Sequence, residues 1–230
     1  MSGPLAAEAV QPTAETLTVG DFMLHMSAMQ AHYSPGGEGA TKSGTLYRLP
    51  ALVTTLAVSA RPIRLESQVL HGQPQRPPPA PLPVPVAITQ VLQATQRDTL
   101  AFVQSHQQAV TKAIQASVQA TAQFVQQMQA LEQKEIADHA ARIDALFRGL
   151  IAAGKANPSH QAMILVTTNH TGLFLAGLLH SANGVAQGVA KTVSAAAHAA
   201  ANVVHDATKT IGDWASGAAQ SVGSFFKSLF

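Results

Sequence analysis

The side chains with chemical potential in this sequence are ten histidines and twelve carboxylates, and there is no cysteine. The densest group is Glu135, Asp138 and His139. Glu135 and His139 sit at i, i+4 and would share one helical face. Catalytic zinc needs three protein ligands, and no third is evident on that face. No metal or other cofactor is expected. The lack of cysteine removes disulfides, thiolate ligands and thiol nucleophiles in one step. Gly-rich phosphate loops, HExxH and GxSxG are missing as well. The chain therefore reads as non-enzymatic, without a small-molecule substrate.

Three histidines stand apart. His160, His170 and His180 fall between Ala156 and Ala190, a stretch without a single Asp, Glu, Lys or Arg. Histidine changes charge between pH 5 and 8, so acidification would add positive charge where there is almost none. These three are the candidate pH-sensing residues. The plainer reading makes them polar surface positions in an Ala- and His-rich composition.

The second candidate site is apolar. Ile211, Trp214, Ala218, Val222, Phe225 and Leu229 follow one another at steps of 3, 4, 4, 3 and 4, the spacing of a single helical face. Phe226 and Phe230 broaden it. Asp213, Ser216, Gln220, Ser224 and Lys227 take the other side. The only tryptophan and three of the eight phenylalanines of the chain lie in this segment. Such a face is expected to contact a membrane or a partner subunit, with docking on the chain's own central helix as the alternative.

The elements that must carry these residues follow from composition. Charged residues are only 11% of the chain, against about 25% in ordinary globular proteins. Helices so poor in charge are built to meet other helices or lipid. The net charge is +2, and Lys and Arg do not cluster, which argues against nucleic acid. From Ile88 to about Ala153 no proline and no glycine before Gly149 interrupts the chain. The apolar positions Leu92, Val103, Ile114, Val125, Ile136 and Phe147 repeat every 11 residues. Eleven residues in three turns keep one stripe on a straight or slightly right-handed helix, so these six are the expected helix-packing residues. A helix of this length should fold back or find a partner. Gly149, Gly154 and Asn157-Pro158 are read as its stop.

The 11-residue period returns after Ala182. The segment 184–222, which includes Gly184-Val-Ala-Gln-Gly-Val-Ala-Lys-Thr-Val193, resembles the small-residue 11-mer helices of synucleins and exchangeable apolipoproteins. The resemblance is one of pattern and lacks the charged core motif that synucleins repeat. It implies a helix suited to a lipid interface.

The domain map runs as follows. Residues 1–16 are a loose polar tail. Residues 17–72 read as a small β or mixed module: Leu17, Val19, Phe22, Leu24 and Met26 alternate with a slip near Gly20, Leu46 to Val58 forms an edge or bent strand around Pro50, and Ile63 to Val69 forms the cleanest strand. Ser34-Pro35-Gly36-Gly37 marks a turn. Residues 73–87 form a Pro-rich spacer, with seven prolines, extended as polyproline II. Then come a long Gln/Ala-rich helix (88–157), an apolar helical hairpin (158–181) and an amphipathic C-terminal helix (182–230). The fold class is mainly α. The 156–190 stretch is long enough to span a bilayer, but Thr167, Thr168, Asn169, His170 and Thr171 sit in its middle. Met1 to Val10 carries neither the basic stretch nor the apolar run of a secretory signal peptide. Cytoplasmic synthesis with membrane association, or export by another route, is the expectation.

Two functions fit. One is a membrane-active protein of the delivered-effector, pore-forming or penetration type. The other is a structural helical assembly protein of a phage, secretion or injection apparatus. Both make lipid or partner helices the partners and a homo-oligomer the expected state.

Overall fold

The computed structural model describes residues 17–41, 45–60, 84–117, 121–195 and 201–229. The described residues are mainly helical and contain no strand. Seven α-helices appear among them: α1 (Val19–Tyr33), α2 (Glu38–Thr41), α3 (Ala51–Ala60), α4 (Val86–Ser117), α5 (Thr121–Ala156), α6 (Gln161–Ala195) and α7 (Ala201–Ser228). A single 3-10 turn, Pro158–His160, leads into α6.

The four long helices form an antiparallel ring in which α4 packs on α5, α5 on α6, α6 on α7, and α7 back on α4. The register is read from cross-contacts. A Cβ at Gly149 of α5 would meet Val91 of α4, the Arg142 guanidinium lies 4.0 Å over the Phe102 ring, and Trp214 of α7 touches both His106 of α4 and Ser181 of α6. This is an up-down-up-down bundle. One half of it, the lower, is wrapped: α1 crosses α5 and α6, and α2 and α3 lie on α6.

The N-terminal module is helical where it is described, and this corrects the strand reading. Thr18 caps α1 in a reciprocal box with Asp21. The buried residues are Phe22, Met26, Met29 and Tyr33, at steps of 4, 3 and 4. Strand alternation required a phase slip at Gly20, whereas the helical face needs none, and it leaves Leu24 65% exposed. Pro50 directly precedes α3, and its carbonyl accepts from the Val53 N–H. A proline that lacks an N–H suits a helix start as well as a sheet edge. The Ser34–Gly37 turn is present, with Gly36 at φ +86. The Ile63–Val69 strand, the 1–16 tail and residues 73–83 of the Pro-rich spacer lie outside the described residues, and α4 begins at Val86, inside the expected spacer.

Where one helix is expected over 88–157 there are two, α4 and α5, which run antiparallel to each other. The stripe Leu92, Val103, Ile114 is buried in α4. In α5 its phase changes: Phe124 is buried, Val125 is 41% exposed, Ile136 is half-buried and Phe147 is buried again. Gly149 and Gly154 do not stop α5, which runs to Ala156. Gly154 sits where a Cβ would collide with the Phe22 ring, and Gly172 of α6 stands likewise against Tyr33. Here the glycines let α1 approach the bundle. The expected 158–181 hairpin is instead the first part of one continuous helix, α6. The expected helix over 182–230 is divided between the end of α6 and α7.

Two apolar clusters fill the bundle. The lower one joins α1 and α3 to the lower halves of the four long helices. The upper one holds Val110, Ile114, Phe124, Met128, Val189, Val193, Ile211 and three alanines. Trp214 packs against both.

Candidate functional site

In the folded bundle the C-terminal face, expected to meet a membrane, a partner or the chain's own central helix, packs against α4 and α6 of its own chain. Ile211, Ala218, Val222 and Phe226 are buried, while Trp214, Phe225 and Leu229 are half-buried. Phe230 lies outside the described residues. Phe225 stacks on Phe174 of α6 with ring centres 4.2 Å apart and planes 2° from parallel. Phe226 meets both rings edge-on. Opposite this face, Asp213, Ser216, Gln220, Ser224 and Lys227 are exposed. Segregation of polar from apolar residues in α7 is what a helix needs to dock on a core or lie at a lipid surface.

The helix that α7 covers, α6, is the most apolar of the four long helices. From Pro158 to Ala195 the chain is long and apolar enough to cross a bilayer, and two thirds of its most apolar window, 67%, is buried. Two of the five polar residues in its middle bond within the helix itself. Thr168 donates to the Ile164 carbonyl (2.6 Å) and Thr171 to the Thr167 carbonyl (2.8 Å). Hydroxyls bonded one turn back satisfy themselves within the helix. Asn169 is different. Its Oδ1 accepts from the Tyr33 hydroxyl (2.5 Å) and its Nδ2 donates to the Tyr47 carbonyl (2.8 Å). Tyr33 also accepts from the Tyr47 N–H (3.1 Å). This latch ties α1 and the segment before α3 to the middle of α6. Burial pushes the Tyr33 phenol up from its ordinary range, partly offset by that Tyr47 N–H.

The waist between the two clusters is polar. His106 of α4 bonds through Nδ1 to Glu135 Oε1 of α5, and both side chains are buried. His106 Nε2 is buried without a hydrogen-bond partner. The Trp214 ring stands 4.7 Å from the imidazole, and its Nε1 donates to Ser181 Oγ (2.9 Å). Below, His139 is fully buried. Its Nε2 lies 3.1 Å from the Tyr33 carbonyl, which can only accept, so Nε2 carries the proton of a neutral ring. Desolvation lowers its pKa from 6.5 to about 4; the Tyr33 carbonyl works against the shift, and the Arg142 charge adds to it. Arg142 is itself lowered by burial, opposed by Asp138, Glu135 and Asp98.

The expected pH-sensing residues are scattered. His160 is buried, with Nδ1 3.1 Å from Ser159 Oγ. His170 and His180 are exposed. The buried histidines at tertiary contacts are His106 and His139. A signal for His106 was present: Thr99, Phe102, Val103, His106, Val110 and Ala113 lie on one helical face of α4. Glu135 and His139 do share a face, but they turn to different partners. No group of three possible metal ligands forms among the described residues.

No family model, no curated protein and no solved structure matches this chain.

Proposed function

We propose that the chain is a non-enzymatic, membrane-active protein whose bundle opens to deliver α6 and α7 to a bilayer. The observation that carries this reading is the position of α6. It has no Asp, Glu, Lys or Arg up to Ala190, and α1, α2, α3, α5 and α7 all pack on it. The charge-free part of α6, residues 161–190, is longer than the roughly 20 residues that span hydrocarbon. Its central threonines would enter lipid already bonded to their own backbone. α7 would turn its aromatic face from α6 to the headgroup region, where Trp and Phe are favoured. Acid supplies a trigger, because a protonated His139 would be a buried charge close to Arg142, with its Nδ1 proton unbonded among the described residues.

The test is leakage and flotation with anionic liposomes at pH 7 and pH 5, with Trp214 emission as an internal probe. Binding and leakage that rise at pH 5, with a blue shift of Trp214, are expected. A protein that ignores lipid at both values sinks the reading.

The assembly reading draws support from the upper half. Val125 is exposed, and a groove of about 420 Å³ floored by Ala113, Ala116 and Ala130 runs between α4 and α5. A defined oligomer by native mass, indifferent to liposomes, would favour it.

A further inference from the structure

A cleft of about 150 Å³ opens between α5 and α6 in the upper half of the bundle. Its walls are mostly apolar, formed by Val125, Met128, Leu131, Ala186 and Ala190 with the amides Gln129, Asn183 and Gln187 among them, and it contains two carboxylates, Glu132 and Glu135. Among the described residues no Lys, Arg or His lines it. Glu135 is only 3% exposed. An apolar cavity of this volume takes a body the size of benzene. The alanines of α6 make the space, since a larger side chain at 186 or 190 would occupy it.

The charge distribution selects the ligand. Glu135 spends Oε1 on His106, and Oε2 accepts no hydrogen bond among the described contacts. Even if a protonated His106 cancels the charge of Glu135, Glu132 leaves the wall one unit negative. Arg142 faces Glu135 electrostatically but does not line the cleft. A buried carboxylate is satisfied by a charge-assisted N–H donor, and the apolar walls suit a single ring or a short alkyl body. A metal ion is not served, because no third ligand joins these two acids among the described residues and the remaining walls offer mostly carbon.

We propose that this cleft is a binding site for a small organic cation, an ammonium on a compact apolar body, held by Glu135 and Glu132 against Met128, Leu131, Ala186 and Ala190. The site is separate from the α6–α7 face, and its occupancy is read without lipid. The ligand would contact the same carboxylate that holds His106. Because His106 touches Trp214, the chain's only tryptophan reports on the site.

The experiment titrates the full chain with benzylamine, and with benzyl alcohol and benzoate as neutral and anionic counterparts. Trp214 emission and ligand-observed NMR are followed. Saturable 1:1 binding of benzylamine is expected, at least about tenfold tighter than benzyl alcohol, the ratio that one charge-assisted contact supplies, with no binding of benzoate. Glu135→Gln should weaken benzylamine about tenfold on the same grounds, and Glu132→Gln should weaken it less. Ala186→Leu fills the cleft without touching the His106–Glu135 pair and should abolish binding. It keeps the test decisive if Glu135→Gln fails to fold. Equal binding of all three compounds, binding that survives both Ala186→Leu and Glu132→Gln, or no saturable binding of benzylamine would overturn the proposal.

Discussion

The two halves of the bundle are built from the same four helices by opposite means. The lower half is thick. Its core includes Phe22, Tyr33, Phe102, Phe147 and Phe226, and α1 to α3 wrap it. Among the described residues the upper half is a four-helix section with no further helix wrapped over it, and its buried set has one aromatic, Phe124, and three alanines. The difference teaches where opening begins. Stability follows buried apolar area, and segments with fewer buried contacts open at lower free energy. The upper half should separate first, and the lower half should be held until α1 lets go.

The largest effect comes from placing a charge in the weak half. Ile114 is fully buried, and Ile114→Asp leaves an unpaired charge there at a cost on the order of 5 kcal/mol. Amide exchange should then show the upper half unprotected while Phe22, Met26 and Phe147 stay protected. Loss of protection everywhere at once would mean that the halves are one cooperative unit, and the comparison would fail.

Acid acts on the strong half. The folded pKa of His139, about 4, lies below its ordinary 6.5. Between those values the unfolded chain takes up a proton that the folded chain excludes. The stability due to neutral His139 is complete above pH 6.5 and is lost as pH falls toward 4. At 1.36 kcal/mol per unit this amounts to roughly 3 kcal/mol at most. The urea midpoint should therefore fall between pH 7 and pH 4.5, and less steeply in His139→Gln. Parallel falls in both proteins would remove His139 as the trigger.

A smaller change tests the clamp alone. Thr18→Ala removes the α1 capping box and should cost about 1 kcal/mol. Exchange should quicken in α1 and stay unchanged in the upper half. Equal quickening at Ile114 would show that the clamp and the bare section are coupled.

Much of this architecture could be read from residue order. The helical character of 88–117 and 121–156, the Ser34–Gly37 turn and the stop at Asn157-Pro158 follow from local signals. The antiparallel pairing of α4 with α5 and of α6 with α7 does not, because no proline or glycine stands at 118–120 or 196–200 and the pairing is set by which faces meet. The α7 face was legible residue by residue. Its covering was not, because Phe174 and His106 lie 51 and 108 positions before Phe225 and Trp214. The Tyr33–Asn169 latch spans 136 positions, and nothing local marks Asn169 as more than a polar interruption in an apolar run.

The smallest expected effect is also the sharpest test of the 11-residue stripe. An unbroken stripe puts Val125 in a packed seam, where a charge would cost several kcal/mol, as at Ile114. In the folded chain the stripe changes phase in α5, so Phe124 enters the upper core and Val125 stands 41% exposed at the mouth of the α5–α6 cleft. Val125→Asp should then change stability by no more than about 0.5 kcal/mol, the usual range for surface positions, with the oligomeric state unchanged. The added carboxylate would join Glu132 and Glu135 at the cleft, so benzylamine should bind more tightly, not less. A melting curve lowered as far as that of Ile114→Asp would return Val125 to a buried seam, in a partner helix or a second copy, and the upper half would no longer be the bare one.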